Sequence, residues 1–438
     1  MALDIQEQLA ALRQRIAQID ARFSGPSRRE RPEVAPQPRT FPEDYRPVRY
    51  CIEEWQSGQE VETPLGKHFE TERTYEAHRR HGSMDIGSLA GLPHDLLDTL
   101  SNNTIPRCCP TKWAFLDTET TGLAGGSGTY AFLIGVGRIT AAGFHVRQFF
   151  MRDYAEEPSL LHALTEHLAQ FDVLVTYNGK TYDQPLLETR YRMARSRPPF
   201  GRMEHLDLLF GARRLWKLRM DSCRLVHLEN QILGVERVGD LPGEMIPYVY
   251  FEYLRTKEAF KVAPILHHNV MDIVSLACLT AIVPWAFRSP LDAPLAHGAD
   301  MVGIARWLRG VSQLEQALQM FQRGIAAGLK DDLLFRTLWD AALLLKKLER
   351  HDECVASLEE LSTTRNPFRV QALEELAKHF EHSRKDYAAA LDLTRQALQL
   401  GGPATLHARA ARLERRLMKK KPVRSETASL LQRTAEKG

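Results

Sequence analysis

The apolar positions along the chain change their period three times. Leu3, Ile5, Leu9, Leu12, Ile16 and Ile19 recur at helical spacing and predict an amphipathic helix over residues 1–23. Residues 24–47 carry Pro26, Pro32, Pro36, Pro38, Pro42 and Pro47 among charges, a composition that builds no core and predicts a linker. Between residues 48 and 288 two periods alternate. Trp113-Ala114-Phe115-Leu116 and residues 130–137, 143–151 and 172–177 read as strands, whereas 158–170, with Leu160, Leu161, Leu164 and Leu168 on one side, reads as a helix. Three strands followed by helix, strand and helix is the order of an α/β fold with a mixed sheet flanked by helices. Beyond Pro290 the strands cease. Gln316-Ala317-Leu318, Glu353-Cys354-Val355 and Ala389-Ala390-Leu391 recur inside helical patterns at spacings of 37 and 36 residues. Residues 289–424 are therefore expected to be an all-α region of helical repeats, with a polar tail over 425–438. On this reading a chain ending near Ser289 folds by itself.

Composition narrows the function classes without choosing among them. Of 438 residues, 44% are hydrophobic and 26% charged, and no uninterrupted apolar run approaches the ~18 residues of a membrane span. The N-terminus has neither the basic start nor the apolar core of a signal peptide, so a cytoplasmic protein with no membrane association is expected. The six cysteines are scattered with no C-x-x-C pair, which points away from a zinc site or a disulfide framework. A net charge of +3 does not by itself indicate nucleic acid. Residues 409–424 are locally basic, and they read equally as a nucleic-acid contact or as a solvated helix and tail.

Candidate chemistry centres on Asp117-Thr118-Glu119, where two carboxylates two residues apart interrupt the apolar strand. Strand geometry puts them on one face, where they repel each other unless a cation or a proton compensates. A divalent metal is the natural compensator, and pairs of Mg²⁺ or Mn²⁺ ions serve phosphodiester cleavage. The plain alternative is that Asp117 ends a strand and Glu119 is solvated. Asp183 falls near the start of a helix after the Asn178-Gly179 turn, placed either to face the strand end or to act as a first-turn acid. His268 and Asp272 are four apart in a helix opened by Pro264 and share a face. The glycine-rich stretch 122–129 lacks the ending of a phosphate-binding loop and reads as a hairpin connection.

Together these stretches resemble the DEDD 3′–5′ exonuclease superfamily of the ribonuclease H-like fold, most closely its YprB-type branch, over roughly residues 50 to 285. Asp117-Thr118-Glu119-Thr120-Thr121-Gly122-Leu123 looks like the first exonuclease motif, Asn178 with Tyr182-Asp183 like the second, and His268-Asn269 with Asp272 like the third. The resemblance implies a metal-dependent nuclease in which Asp117, Glu119, Asp183 and Asp272 hold two Mg²⁺ or Mn²⁺ ions. It places Thr120, Leu123, Asn178 and Tyr182 against a nucleic-acid substrate. Relatives with a Tyr base carry it four before the last Asp, where this chain has His268, whereas relatives with a His base carry it five before, at His267. In an unbroken helix His268 lies about 40° from Asp272 and His267 about 140°, which favours His268 as the acid-base residue. The repeats resemble tetratricopeptide-type hairpins and imply a protein partner. The rival reading is a non-catalytic scaffold that keeps the fold.

Overall fold

The computed structural model describes residues 52–101, 104–122 and 128–420. The expected N-terminal helix, linker and polar tail, together with Leu123 of the substrate-contact set, lie outside the described residues. The main sheet has seven strands: β1 (Gln59–Thr63), β2 (Gly66–Glu76), β3 (Trp113–Thr120), β4 (Ala131–Thr140), β5 (Gly143–Phe150), β6 (Val173–Thr176) and β7 (Glu204–Asp207). Their spatial order is β1-β2-β5-β4-β3-β6-β7. Pairings are antiparallel from β1 through to β3 and parallel from β3 through β6 to β7, so the sheet is mixed as the pattern predicts. Helix α1 (Glu157–Leu168) crosses from β5 to β6, and α2 (Asp183–Met193) from β6 to β7. Next come α3 (Leu208–Trp216), α4 (Ile246–Thr256) and the 26-residue α5 (Ala263–Arg288).

The two faces of β3 feed two cores. Trp113 and Phe115 join Ala212 of α3 and Val270 and Ile273 of α5, whereas Ala114 and Leu116 join Leu160 and Leu164 of α1 and Tyr250 of α4. Beyond Leu116 the burial falls off along the strand, and that is where the acids begin. Helix α5 lies directly on the sheet at this level because β4 presents a glycine there. Gly135 pairs with Asp117, and a Cβ on it would stand 2.2 Å from Asn269 Oδ1 and 2.3 Å from Ile273 Cδ1. By length and composition the stretch Ala259–Arg288 could cross a membrane, with a mean hydropathy of 1.9, but 78% of that window is buried inside the fold. It is the central core helix. Asp272, Ser275 and Thr280 interrupt its apolar residues, which is why no uninterrupted apolar run of that length stands in the sequence.

The C-terminal region is all-α: α6 (Gly298–Gly310), α7 (Leu314–Ala326), α8 (Asp331–Lys347), α9 (His351–Thr363), α10 (Arg369–His379), α11 (Tyr387–Gln399) and α12 (Thr405–Lys420). Each packs on the next in sequence. One apolar cluster crosses Ser289, where the sequence pattern ends the sheet domain, from Ala212, Leu215 and Phe287 into Val302, Ile304 and Leu308. Trp307 packs edge-on against Phe287 with ring centroids 5.0 Å apart, and Asp300 accepts from Arg219 at 2.9 and 3.0 Å. Part of the basic C-terminal stretch is also used internally. Arg409, Arg412 and Arg416 all pair with the buried Glu381, at 2.7, 2.9 and 3.3 Å.

Candidate metal centre

Three elements deliver the acids. Asp117 and Glu119 keep the parity of Phe115 and face α5, the face-sharing that the alternation of a strand requires. Asp117 is held there by a buried amide relay across the sheet. Thr71 Oγ1 donates to Gln148 Oε1 (2.9 Å), which fixes that amide so that Gln148 Nε2 donates to Asn269 Oδ1 (2.8 Å), leaving Asn269 Nδ2 to donate to Asp117 Oδ2 (2.8 Å). Asp183 is the first residue of α2. Its Oδ1 accepts from Thr118 Oγ1 on β3 at 2.5 Å, so the carboxylate is tied to the strand end. The turn before it depends on Asn178, at φ 68°, a left-handed conformation that Asn tolerates better than most residues. Asp207 fixes that turn by accepting from the backbone N–H groups of Asn178 (2.8 Å) and Lys180 (3.1 Å) while capping α3 through Leu209 N.

The electrostatics show what the convergence costs. Burial first, and then the charges of Asp272 and Asp183, push the Asp117 carboxyl well above the usual range. Glu119 is raised well above it by burial and by Asp117, Asp272 and Asp183. Burial raises Asp183 to about 6 against the opposing bond from Thr118, and burial raises Asp272 although Arg237 and His268 oppose it. Four carboxyls that resist ionising together need positive charge. Glu119, His268 and Asp272 each offer a ligand atom, all within 4.8 Å of one another. An oxygen-rich set with one imidazole suits Mg²⁺ or Mn²⁺, so the residues present fit a divalent ion.

Two basic side chains already serve the site. Helix α5 runs unbroken from Ala263 through Asp272, which brings His268 over the acids with Nε2 3.6 Å from Asp272 Oδ2. Its Nδ1 lies 2.8 Å from Asp240, and although burial opposes protonation, Asp240 and Asp272 outweigh it and raise the imidazole pKa. Arg237, buried in the loop between α3 and α4, donates to Asp272 Oδ1 at 2.5 Å and to Asp240 Oδ2 at 3.2 Å. Its Nε stands 2.7 Å from the fully buried Glu229, whose other oxygen accepts from Ser275. His81 closes this network against Ser275 at 2.7 Å.

Of the residues singled out from sequence, Asp117, Glu119, Asp183, Asp272 and His268 are thus gathered at one place. His267 is not gathered there. It is exposed on the outer side of α5, 3.5 Å from Arg73, because one residue's rotation turns it away. Thr120 spends its hydroxyl on Gly122 O (2.9 Å), Asn178 lines a groove with Asp117 and Asp272, and Tyr182 is 58% exposed. Arg237, Glu229 and Gln148 were not legible. They sit far from the motifs in sequence, and no local pattern marks an arginine or a glutamine that will be buried against an acid.

The RNase_H superfamily model matches residues 114–283, the span from β3 through α5 that carries all four acids. A Bacillus subtilis (strain 168) protein, "Uncharacterized protein YprB", is 38% identical over 315 residues, 69% of this chain and 74% of that protein. The chain belongs to the RNase_H superfamily, as a homologue of YprB. Membership supports a nuclease-type hydrolase acting on nucleic acid, and nucleases of this fold generally use divalent metal ions. Within the matched span, β4 and β3 pair antiparallel and β3, β6 and β7 parallel, while β5, β2 and β1 extend the sheet on the far side of β4.

Proposed function

We propose that the protein is a metal-dependent 3′–5′ exonuclease of the DEDD type using two Mg²⁺ or Mn²⁺ ions. The observation that carries the reading is the convergence of Asp117, Glu119, Asp183 and Asp272 from a strand and two helices, with all four carboxyls raised by burial and two of them, Asp117 and Glu119, also by the charges of the others. These four would hold the ions. When bound, the ions supply charge stabilisation to a phosphodiester under attack by water. The chain supplies position and proton transfer. Thr71, Gln148 and Asn269 aim Asp117, and Thr118 aims Asp183. Asp240 holds the imidazole of His268 through Nδ1, so that Nε2 faces the acids and takes the proton of the attacking water. The appended helices, with Ala317, Ala341, Ala342, Ala372 and Ala390 buried where neighbours meet, are proposed as a tetratricopeptide-like platform for a protein partner.

The Arg237–Asp272 pair favours one second reading, a non-catalytic scaffold in which guanidinium replaces the metal charge. One experiment separates the two. Purified protein is incubated with Mn²⁺ or Mg²⁺ and end-labelled single- and double-stranded DNA and RNA, beside Asp117→Ala and Asp183→Ala. Stepwise shortening from the 3′ end that both substitutions abolish supports the nuclease. Wild-type rates in either variant, or no metal-dependent cutting of any substrate, refute it.

A further inference from the structure

A groove of about 650 Å³ opens beside the acids and has both Asp117 and Asp272 in its wall. Away from the acids it is lined by Arg213, Lys217 and Arg224, all exposed, with Asp221 as the opposing charge. Among the described residues none of these three cations forms an ion pair, whereas their neighbour Arg219 is bound to Asp300. Arg213 and Lys217 are one helical turn apart at the end of α3 and share a face. Burial raises the pKa of the Cys223 thiol on the same wall, and Arg213 and Lys217 act against that rise, so both charges lie toward the groove. Met220 and Leu209, both largely buried, supply an apolar surface within it.

Unpaired cations on a groove wall cost little when solvated, but three lining one groove together with two carboxylates of the cluster make a surface that suits a polyanion. The volume lies within the roughly 300–1,000 Å³ of sites that enclose one small ligand. That room matches a nucleotide or two of one strand. We propose that this groove is the track for a single-stranded end of a nucleic acid, with Arg213, Lys217 and Arg224 on successive phosphates and Met220 and Leu209 against a base. The proposal rests on the nuclease reading for its direction, since the strand would enter with its end at Asp117 and Asp272.

The test is binding without chemistry. Fluorescence anisotropy of a labelled single-stranded oligonucleotide in EDTA is followed across a salt series for the wild-type chain and for Arg213→Gln/Lys217→Gln/Arg224→Gln. Three lost single-strand phosphate contacts, each worth about 0.7 in the slope of log K against log salt, should flatten that slope by about 2 and weaken binding about 100-fold at 0.1 M salt. Arg213→Lys/Arg224→Lys should keep the slope. Lys330→Gln/Lys347→Gln/Arg365→Gln, which removes the same charge from exposed positions on the appended helices, should keep it too. An unchanged slope in the triple groove variant, or failure of the wild type to prefer single strand over blunt duplex, overturns the proposal. Its failure is distinct from that of the nuclease reading. A protein that binds through the groove but never cuts refutes only the nuclease, and one that cuts in an Asp117-dependent way with an unchanged KM in the groove variant refutes only the groove.

Discussion

Replacing Arg237 by methionine removes the guanidinium while keeping an unbranched apolar stem of similar reach. The side chains around it are scarcely exposed: 6% for Arg237, 0% for Glu229, 16% for Asp240 and 14% for Asp272. Removing one partner from such a set leaves anions uncompensated, which typically costs about 3–5 kcal/mol. Glu229 retains Ser275 and lies 3.6 Å from His81, so the loss should fall near the lower end, about 3 kcal/mol. The same substitution frees Asp272 Oδ1. Mn²⁺ should then bind about tenfold tighter, equivalent to about 1.4 kcal/mol, because it no longer displaces or shares a fixed cation. Urea unfolding in EDTA reads the first effect, and calorimetric Mn²⁺ titration of the folded protein reads the second. An Arg237→Met chain within about 1 kcal/mol of wild type in EDTA, with unchanged Mn²⁺ affinity, would refute the idea that Arg237 is the internal counter-ion of this site.

Three further outcomes are expected. In EDTA, Asp183→Asn should gain stability relative to wild type as pH rises from about 4 to about 6 and then level off, since a carboxyl raised to about 6 stabilises the fold only while protonated. His167 and His205, pushed down to about 4 mainly by burial, act in the opposite direction below their ordinary value but are common to both chains, so the difference isolates the site; a difference that shrinks over that range contradicts the assignment. With Mn²⁺ at saturation, His268→Ala should lower kcat by ~10²–10⁴ while His267→Ala costs much less, and a larger loss at His267 would reverse the proposed roles. A chain ending at Ser289 should be insoluble or strongly destabilised, because Leu215 and Phe287 lose their cover from Val302, Leu308 and Trp307, each burial being worth about 1.5–3 kcal/mol; a soluble, cooperatively folding truncation would show that the sheet domain stands alone.

The fold class was readable because its cause is local. A strand buried on both faces needs an apolar run such as Trp113-Ala114-Phe115-Leu116, and a helix laid on a sheet needs the spacing of Leu160, Leu161, Leu164 and Leu168. The order of those elements then left few topologies open. The acids were readable for a related reason. Two carboxylates at the end of a buried strand contradict the pattern around them, and His268 with Asp272 share a face by helical geometry alone. The sequence could not say that α5 continues through Pro284 to Arg288, since its polar residues disguise a core helix and only the packing around them shows where they face. Nor could it say whether the part before Ser289 stands alone, because a change of period marks a change of architecture and says nothing about which apolar faces cover each other. Arg237, Glu229 and the Thr71-Gln148-Asn269 relay belong to the same class. Arg237 from Asp272, Glu229 from Ser275 and the members of the relay from one another are separated along the chain by tens to more than a hundred residues, so whether each is a solvated surface group or a buried counter-charge was decided only when tertiary structure closed those loops.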